Sequence, residues 1–243
     1  MTNFMSNSIF FGAALSLIAY EVGLLLKRKF KMAIFNPLLI SIIAVIAVLC
    51  LLHIDYDTYN QSGQYISYLL TPATVCLAVP LYQQMELLKK NLKAVVIGIV
   101  SGVLASLVSV LILARLFRLS HEQYVTLLPK SITTAIGMGV SEELGGIVTI
   151  TVAVIIITGV LGNMVAETVI KLAHIEEPIA KGLALGTSSH AIGTAKAMEL
   201  GEIEGAMSSL AIAVAGLLTV VGASVFAQFM YCLLYTSPSP RDS

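Results

Sequence analysis

Long apolar runs alternate with short polar stretches along the whole chain, a pattern that predicts several membrane-crossing helices. The run from Ile34 to Leu52 contains no charged residue and is long enough to cross about 30 Å of hydrocarbon as a helix. Hydrophobic residues make up 57% of the 243 residues and charged residues only 12%, whereas charged residues make up about 25% of soluble domains. We therefore predict an all-α membrane protein, a polytopic helical bundle of about seven or eight hydrophobic segments.

Three of these segments contain residues that interrupt a continuous, lipid-facing helix. Two prolines lie in 71–80, Pro129 lies at the start of 128–141, and glycine, serine and threonine are concentrated in 183–197. Proline removes a backbone donor, and free polar backbone at membrane depth is tolerated only where it is buried in protein or lines a cavity. We expect broken or re-entrant helices around 71–80, 128–141 and 183–197.

The stretch L-A-L-G-T-S-S-H-A-I-G-T-A-K-A, residues 183–197, has the length of a membrane helix but not the chemistry of one that faces lipid. Glycine permits the close approach of two backbones, and small hydroxyls supply hydrogen-bond donors that need no counter-charge. Two interpretations follow from this composition. The stretch forms a tight helix crossing with His190 hydrogen-bonded in the core, or it lines a site for a small polar solute.

The segment at 128–141 has chemistry suited to an anion. Lys130 follows Pro129 and precedes the hydroxyl residues Ser131, Thr133 and Thr134. A helix that begins here within the membrane presents free N–H groups, hydroxyls and an ammonium group together, and this combination attracts an anion. The alternative is that Lys130 extends its side chain to the membrane surface.

The charge pattern indicates an orientation in the membrane. The 14 basic and 14 acidic residues cancel, so nothing indicates nucleic-acid binding. By the positive-inside rule, the basic stretches 27–31 and 83–93 are cytoplasmic, and the polar loop 53–63, without Lys or Arg, is external. This orientation places the N-terminus outside. The cysteines lie in apolar surroundings without ligand spacing, so no metal or cofactor is predicted.

The organisation of the chain includes a weak repeat and a divergent end. Stretches beginning near Ala73 and Ser131, about 57 to 60 residues apart, both pass from a threonine-rich, broken segment into an apolar span, as in many transporters. The tail Y-C-L-L-Y-T-S-P-S-P-R-D-S, residues 231–243, looks like translated vector sequence. We therefore expect a single transmembrane domain over 1–230 and a non-native tail after it.

Three motifs resemble the LrgB/CidB family. They are T-P-A-T-V-C-L-A-V-P-L-Y at 71–82, L-P-K-S-I-T-T-A-I at 128–136 and P-I-A-K-G-L-A-L-G-T-S-S-H-A-I-G-T-A-K-A at 178–197. The resemblance implies a bacterial inner-membrane protein of the antiholin-like kind, with a small LrgA/CidA-type membrane protein as partner. A common family form has Glu where this chain has Thr71, and the family often has Gly where this chain has Ser189.

The family resemblance also implies two activities. The family is associated with control of murein hydrolase activity and autolysis. Some bacterial members are linked to pyruvate uptake, and a plant chloroplast relative carries glycolate and glycerate. A small monocarboxylate is also what the residues favour, because such an anion needs one positive charge, several neutral donors and little room. The candidate substrate-binding residues are Lys130, Ser131, Thr133, Thr134, Gly186, Thr187, Ser188, His190 and Gly193. A single site formed by these residues requires the two broken segments, 128–141 and 183–197, to face each other.

Two further classes of function compete with a carrier. A non-transporting regulator that holds a holin-like partner inactive would use small-residue helix faces for assembly, such as the close helix contact predicted at Gly98, Ser101, Gly102, Ala105 and Ser106. Such faces also suit association of the chain into a homo-oligomer. An enzyme is disfavoured because no H-E-x-x-H or G-x-S-x-G motif occurs. Ser188, Ser189 and His190 are direct neighbours on one predicted helix and would not face each other, so we predict no catalytic residue.

Overall fold

The computed structural model describes residues 10–30 and 35–235; for residues 70, 74 and 231–235 it describes the backbone alone. This part of the chain is helical and contains no strand, which confirms the predicted all-α fold class. Four of its helical stretches are long and apolar enough to cross a membrane, namely Tyr56–Gln83, Leu92–Leu116, Val148–Leu172 and Glu202–Met230. The chain is a multi-pass helical membrane protein.

The chain divides into two compact units, and the first comprises Met1–Ala78. Its helices are α1 (Phe11–Phe30), α2 (Pro37–Leu52), α3 (Tyr56–Ser67) and α4 (Leu70–Cys76), with α5 (Ala78–Gln83) at the division. The break predicted at 71–80 is present between α4 and α5, and Pro72 and Pro80 each lie in the first turn of one of these short helices. A proline there forfeits no intrahelical hydrogen bond.

Part of the predicted external loop 53–63 is helical instead, because α3 begins at Tyr56. Its polar side chains are used in packing: Ser62 Oγ accepts a hydrogen bond from the Gly12 backbone N–H of α1. The hydroxyl of Tyr59 also pairs with Ser16 Oγ at 2.7 Å. Tertiary contacts with α1 therefore give this polar stretch a helical structure that its composition did not indicate.

The second unit comprises Val79–Ser243. Its remaining helices are α6 (Met85–Lys90), α7 (Leu92–Leu116), α8 (His121–Leu127), α9 (Thr134–Glu143), α10 (Val148–Leu172), α11 (Pro178–Leu200) and α12 (Glu202–Tyr235). One face of α7, at the helical spacing of Val95, Ile99, Val103 and Leu107, lies in the main core. Residues 236–243, which form most of the predicted tail, lie outside the described residues.

Helices α8 and α9 form a re-entrant pair, which we call hairpin A (residues 121–143). The last turn of α8 and the last turn of α9 both meet the start of α10, where Thr151 Oγ1 donates to Thr126 O at 2.9 Å and pairs with Ser141 Oγ at 2.7 Å. Between the arms, Lys130 reaches Ser106 of α7, about 15 Å along the helix from the end of α7 at Leu116. Hairpin A therefore enters the bundle to mid-depth and returns to the same side.

Helix α11 is a second re-entrant pair, hairpin B (residues 178–200), because its backbone breaks at Ser189 and at His190, whose φ is 42° and ψ −135°. The first arm runs inward along α7, with Thr187 packed on Gly102. The second arm runs back along α10, where Asn163 Nδ2 donates to Ile192 O at 3.0 Å. Leu185 and Ala197 share a small buried cluster, so the two arms lie side by side. This confirms a broken, re-entrant helix at 183–197.

Helix α7 with hairpin A and helix α10 with hairpin B form an internal repeat. Both long helices have 25 residues, and each is followed by a residue with positive φ, Arg118 at 53° and His174 at 51°. These two residues are 56 positions apart, as are Leu92 and Val148, and the A-I-G triplets at 135–137 and 191–193. This repeat of 56 residues begins at Leu92.

The two copies of this repeat run in opposite directions. Helices α7 and α10 are antiparallel, because hairpin A leaves the end of α7 and returns to the start of α10 on the same side. We call this the arginine side, after Arg115 and Arg118. Hairpin B opens to the other side, where α7 begins and α10 ends; we call it the lysine side, after the lysines of 89–93. Inverted repeats with broken helices that meet near the midplane are a transporter architecture.

Candidate functional site

The tip of hairpin A holds an ammonium group among neutral hydroxyls. Lys130 Nζ donates to Ser131 Oγ at 2.9 Å and to Ser106 Oγ at 3.3 Å, and Ser106 Oγ donates to Ser131 Oγ at 3.1 Å. Ser131 is buried and Lys130 is half-buried. Among the described residues Lys130 forms no ion pair. Because Ser106 lies near the middle of α7, the side chain of Lys130 points into the bundle and not to the membrane surface.

The same tip contains the start of a helix. Thr133 occupies the N-cap position of α9 with extended backbone, and its side chain forms no capping hydrogen bond. Thr133 and Thr134 are both half-buried. The first N–H groups of α9 and the Lys130 ammonium therefore lie close together in sequence and structure, and both favour negative charge.

The tip of hairpin B is held against α10 by His190. The ring of His190 is buried, and its Nε2 pairs with Ile155 O at 3.1 Å. A Cβ atom on Gly159 would lie only 2.8 Å from this ring, so the glycine makes room for the imidazole. Thr194 Oγ1 donates to His190 O at 3.1 Å. His190 thus orders the tip, as in the interpretation of a histidine hydrogen-bonded in the core.

The other predicted residues of hairpin B divide between packing and open positions. Gly186 lies against α12, where a Cβ on this glycine would be 2.5 Å from Ser208 O. A Cβ on Gly193 would be 2.7 Å from Ser189 Cβ. Thr187 is buried and donates to Leu183 O at 2.8 Å. Ser188 is exposed and pairs with the hydroxyl of its neighbour at 3.1 Å.

The two tips flank the same turns of α7 and α10. On α7, Thr187 packs on Gly102, and Lys130 bonds Ser106 one helical turn further along. On α10, the side chain of Ile155 lies against Gly137 of hairpin A. The carbonyl oxygen of Ile155 pairs with Nε2 of His190, in hairpin B. The two broken segments are thus held on shared helices, although no hydrogen bond joins one tip directly to the other within the described residues.

Sequence reasoning assigned Ser106 only to a close helix contact. In the structure it is the third member of the Lys130 cluster. The signal that could have identified it is the period of 56 residues, which aligns Ser106 with Gly162. Ser106 contacts the tip of hairpin A. Gly162 contacts the tip of hairpin B, since a Cβ on Gly162 would lie 2.8 Å from Ser189 Cβ.

A groove leads from the lysine side toward this region. Its volume is about 580 Å³, and it lies between α7 and the first arm of hairpin B. Asn91 and Glu177 line it near the ends of these elements, small residues such as Gly98 and Ala184 line its length, and Thr187 lies at its inner part. A small solute could approach the tips by this route.

The backbone of His190 provides a test of the hairpin geometry. Its positive φ is unfavourable for any residue with a Cβ. Replacing His190 with glycine or with alanine removes the same ring contact, but only glycine relieves the strain. We expect the His190→Gly protein to be more stable than His190→Ala by about 1 kcal/mol, measured by thermal unfolding in detergent. Equal melting temperatures would contradict the break at this residue.

Comparison with known proteins places the chain beside one family. The family model described as LrgB-like matches residues 16–229. Antiholin-like protein LrgB of Bacillus mycoides (strain KBAB4) is 39% identical over 222 residues, which cover 91% of this chain and 96% of that protein. The proteins of the same name from Bacillus cereus (strain B4264) and Bacillus anthracis (strain CDC 684 / NRRL 3495) show the same identity and coverage. No solved structure matches the chain.

Proposed function

Because the chain belongs to the LrgB-like family, we propose that it is a carrier for small monocarboxylates such as pyruvate or glycolate. We further propose that its transport is linked to control of murein hydrolase activity and autolysis in a bacterial plasma (inner) membrane. The observation that carries the proposal is Lys130, an ammonium group at mid-depth whose partners within the described residues are hydroxyls.

A cation in this position favours an anionic substrate. An ionised side chain within a membrane bundle is costly unless it is compensated or lies in a wet cavity. The hydroxyls of Ser106 and Ser131 can solvate Lys130 but cannot neutralise it. A carboxylate bound at the tip would supply the missing charge, and the hydroxyls would be free to donate to its oxygens.

The inverted repeat supports a substrate with a single charge. In the second copy, the position of Lys130 is occupied by Gly186, 56 residues later. A side chain there would collide with α12, because a Cβ would lie 2.5 Å from Ser208 O and 2.7 Å from Ala211 Cβ. The duplicated tips therefore contain one lysine, and a second carboxylate would carry an uncompensated charge to membrane depth.

The distribution of basic residues supports an orientation. Lys89, Lys90, Lys93, Lys171 and Lys181 lie near the lysine side, and Arg115 and Arg118 lie near the opposite side. We propose that the lysine side is cytoplasmic. Because both hairpins return to the side they enter, α12 would then end outside, and the basic cluster after α1 keeps the N-terminus outside.

A second candidate is a non-catalytic, non-transporting regulator of a holin-like, LrgA/CidA-type membrane protein. The observation in its favour is the printed name of the relatives, antiholin-like protein. In that case a helix of the partner or of a second copy would lie along the exposed part of the small-residue face of α7, at Ser101.

The test is uptake of labelled pyruvate into proteoliposomes that contain only the purified chain. Saturable uptake that is competed by glycolate but not by a dicarboxylate of similar size is the expected result. Uptake that appears only after an LrgA/CidA-type protein is added would assign transport to the pair. Absence of uptake in both preparations would leave the regulator as the better description.

A further inference from the structure

The two hairpins are fastened at their bases by different chemistry. At the base of hairpin A, the side chains of Thr126, Ser141 and Thr151 form a buried network of neutral hydroxyls. Ile147 N also donates to Thr126 Oγ1 at 2.9 Å. Opening this base would leave several polar groups without partners in an apolar environment, which is unfavourable.

At the base of hairpin B, an ion pair takes the place of such a network. Lys196 of the second arm contacts Glu167 of α10, with Nζ and Oε1 2.6 Å apart. The lysine side chain is 10% exposed, whereas the glutamate side chain is 48% exposed. A cavity of about 400 Å³ adjoins Glu167 on the lysine side. Water can therefore reach this carboxylate and stabilise it when the pair separates.

Lys196 also forms an ion pair with a second carboxylate, that of Glu199. Glu199 Oε2 lies 3.0 Å from Lys196 Nζ, but it belongs to the same arm, three residues later. That contact stays intact when the arm moves as one piece. Among these contacts of Lys196, only the pair with Glu167 joins the second arm to α10.

The inverted repeat shows that the fold itself does not require the pair. Fifty-six residues earlier, the positions of Glu167 and Lys196 are occupied by Leu111 and Val140, both of which belong to the apolar core or pack against it. A charged pair thus stands in one copy of the repeat where the other copy has two apolar residues. The pair lies at the hairpin whose tip carries the unfavourable backbone of His190.

We propose that Glu167 and Lys196 form a releasable lock, and that hairpin B is the gate through which the site opens to the lysine side. The proposal rests on the proposed carrier function. Separation of the pair releases the outer part of the second arm from α10, where Asn163 Nδ2 and the His190 ring still hold its inner part, while the hydroxyl network keeps hairpin A in place. Closing the gate re-forms the pair and covers the substrate from that side.

The test measures access to the tip and does not depend on transport. Ser189, which is buried at the tip of hairpin B, is changed to cysteine in a chain in which Cys50, Cys76 and Cys232 are serine. A membrane-impermeant, negatively charged thiosulfonate is applied to one face of oriented membrane vesicles. We expect the Glu167→Gln and Lys196→Met proteins to react roughly fivefold faster than the parent from the lysine side, and no faster from the arginine side.

Two further variants separate a lock from general loosening. The Glu199→Gln protein, which loses the contact within the arm, should react at the parent rate. The Glu167→Asp protein, which keeps the negative charge, should react more slowly than Glu167→Gln. Unchanged rates in both Glu167→Gln and Lys196→Met would overturn the lock, and so would an equal acceleration in Glu199→Gln. The proposed carrier function would survive that outcome, because it is decided separately by pyruvate uptake.

Discussion

Replacing Lys130 with alanine is expected to lower saturable carboxylate uptake at least about thirtyfold. The estimate follows from the cost of removing one member of a desolvated charge pair, about 2 kcal/mol or more. The substrate would then meet only the hydroxyls of Ser106 and Ser131 and the N-terminus of α9. Lys130→Arg should retain part of the activity, since it keeps the charge but changes its shape and hydrogen-bond geometry.

We expect the Lys130→Ala substitution to lower uptake without lowering the melting temperature of the protein. Without substrate, Lys130 is a half-buried cation with hydroxyl partners, so its removal should leave the melting temperature unchanged or raise it. Lys93→Ala is the matched control, because this exposed lysine lies at the start of α7 and its loss should not alter uptake. Normal uptake by a folded Lys130→Ala protein would remove the proposed site.

The second large effect is expected from adding one methyl group to α10. Gly162 touches the tip of hairpin B so closely that a Cβ would lie 2.8 Å from Ser189 Cβ and would overlap Ser189 Oγ. Rotation of the hydroxyl cannot remove the contact with Ser189 Cβ. We expect Gly162→Ala to destabilise the protein by about 1–3 kcal/mol, as overpacked sites do, and to reduce uptake because the tip is displaced.

A second-site change should reverse this effect. Ser189→Gly removes both atoms that collide, and the nearest remaining atom, Ser189 Cα, would lie 3.9 Å from the new Cβ. The Gly162→Ala/Ser189→Gly protein should therefore regain most of the lost melting temperature. Gly139→Ala is the control, because a Cβ at this helical position meets nothing within 4 Å and should be neutral or stabilising. A Gly162→Ala/Ser189→Gly protein no more stable than Gly162→Ala would contradict the contact between Gly162 of α10 and Ser189 of hairpin B.

Much of the architecture could be predicted from local properties of the chain. Apolar runs long enough to cross a membrane predict helices, because backbone groups in lipid must be paired within the segment. Proline and glycine act on the backbone where they stand, so the breaks around 71–80, 128–141 and 183–197 could be predicted. The position of Lys130 beside a helix start could also be predicted, since Pro129 and the following hydroxyl residues are a local pattern.

Local sequence patterns are therefore enough to predict the helical membrane fold and the sites where its helices break. The direction in which each broken segment continues depends on contacts that exist only in the folded chain. A break at His190 is compatible with a kinked crossing or with a hairpin. The choice depends on contacts between distant positions, such as Thr126 with Thr151 and Leu185 with Ala197. The same holds for Ser106, which joins the Lys130 cluster only because hairpin A folds back along α7. Hydrophobicity and backbone preference are properties of single residues and short windows, whereas the pairing of arms follows from the shape and polarity of surfaces that the folded chain brings together.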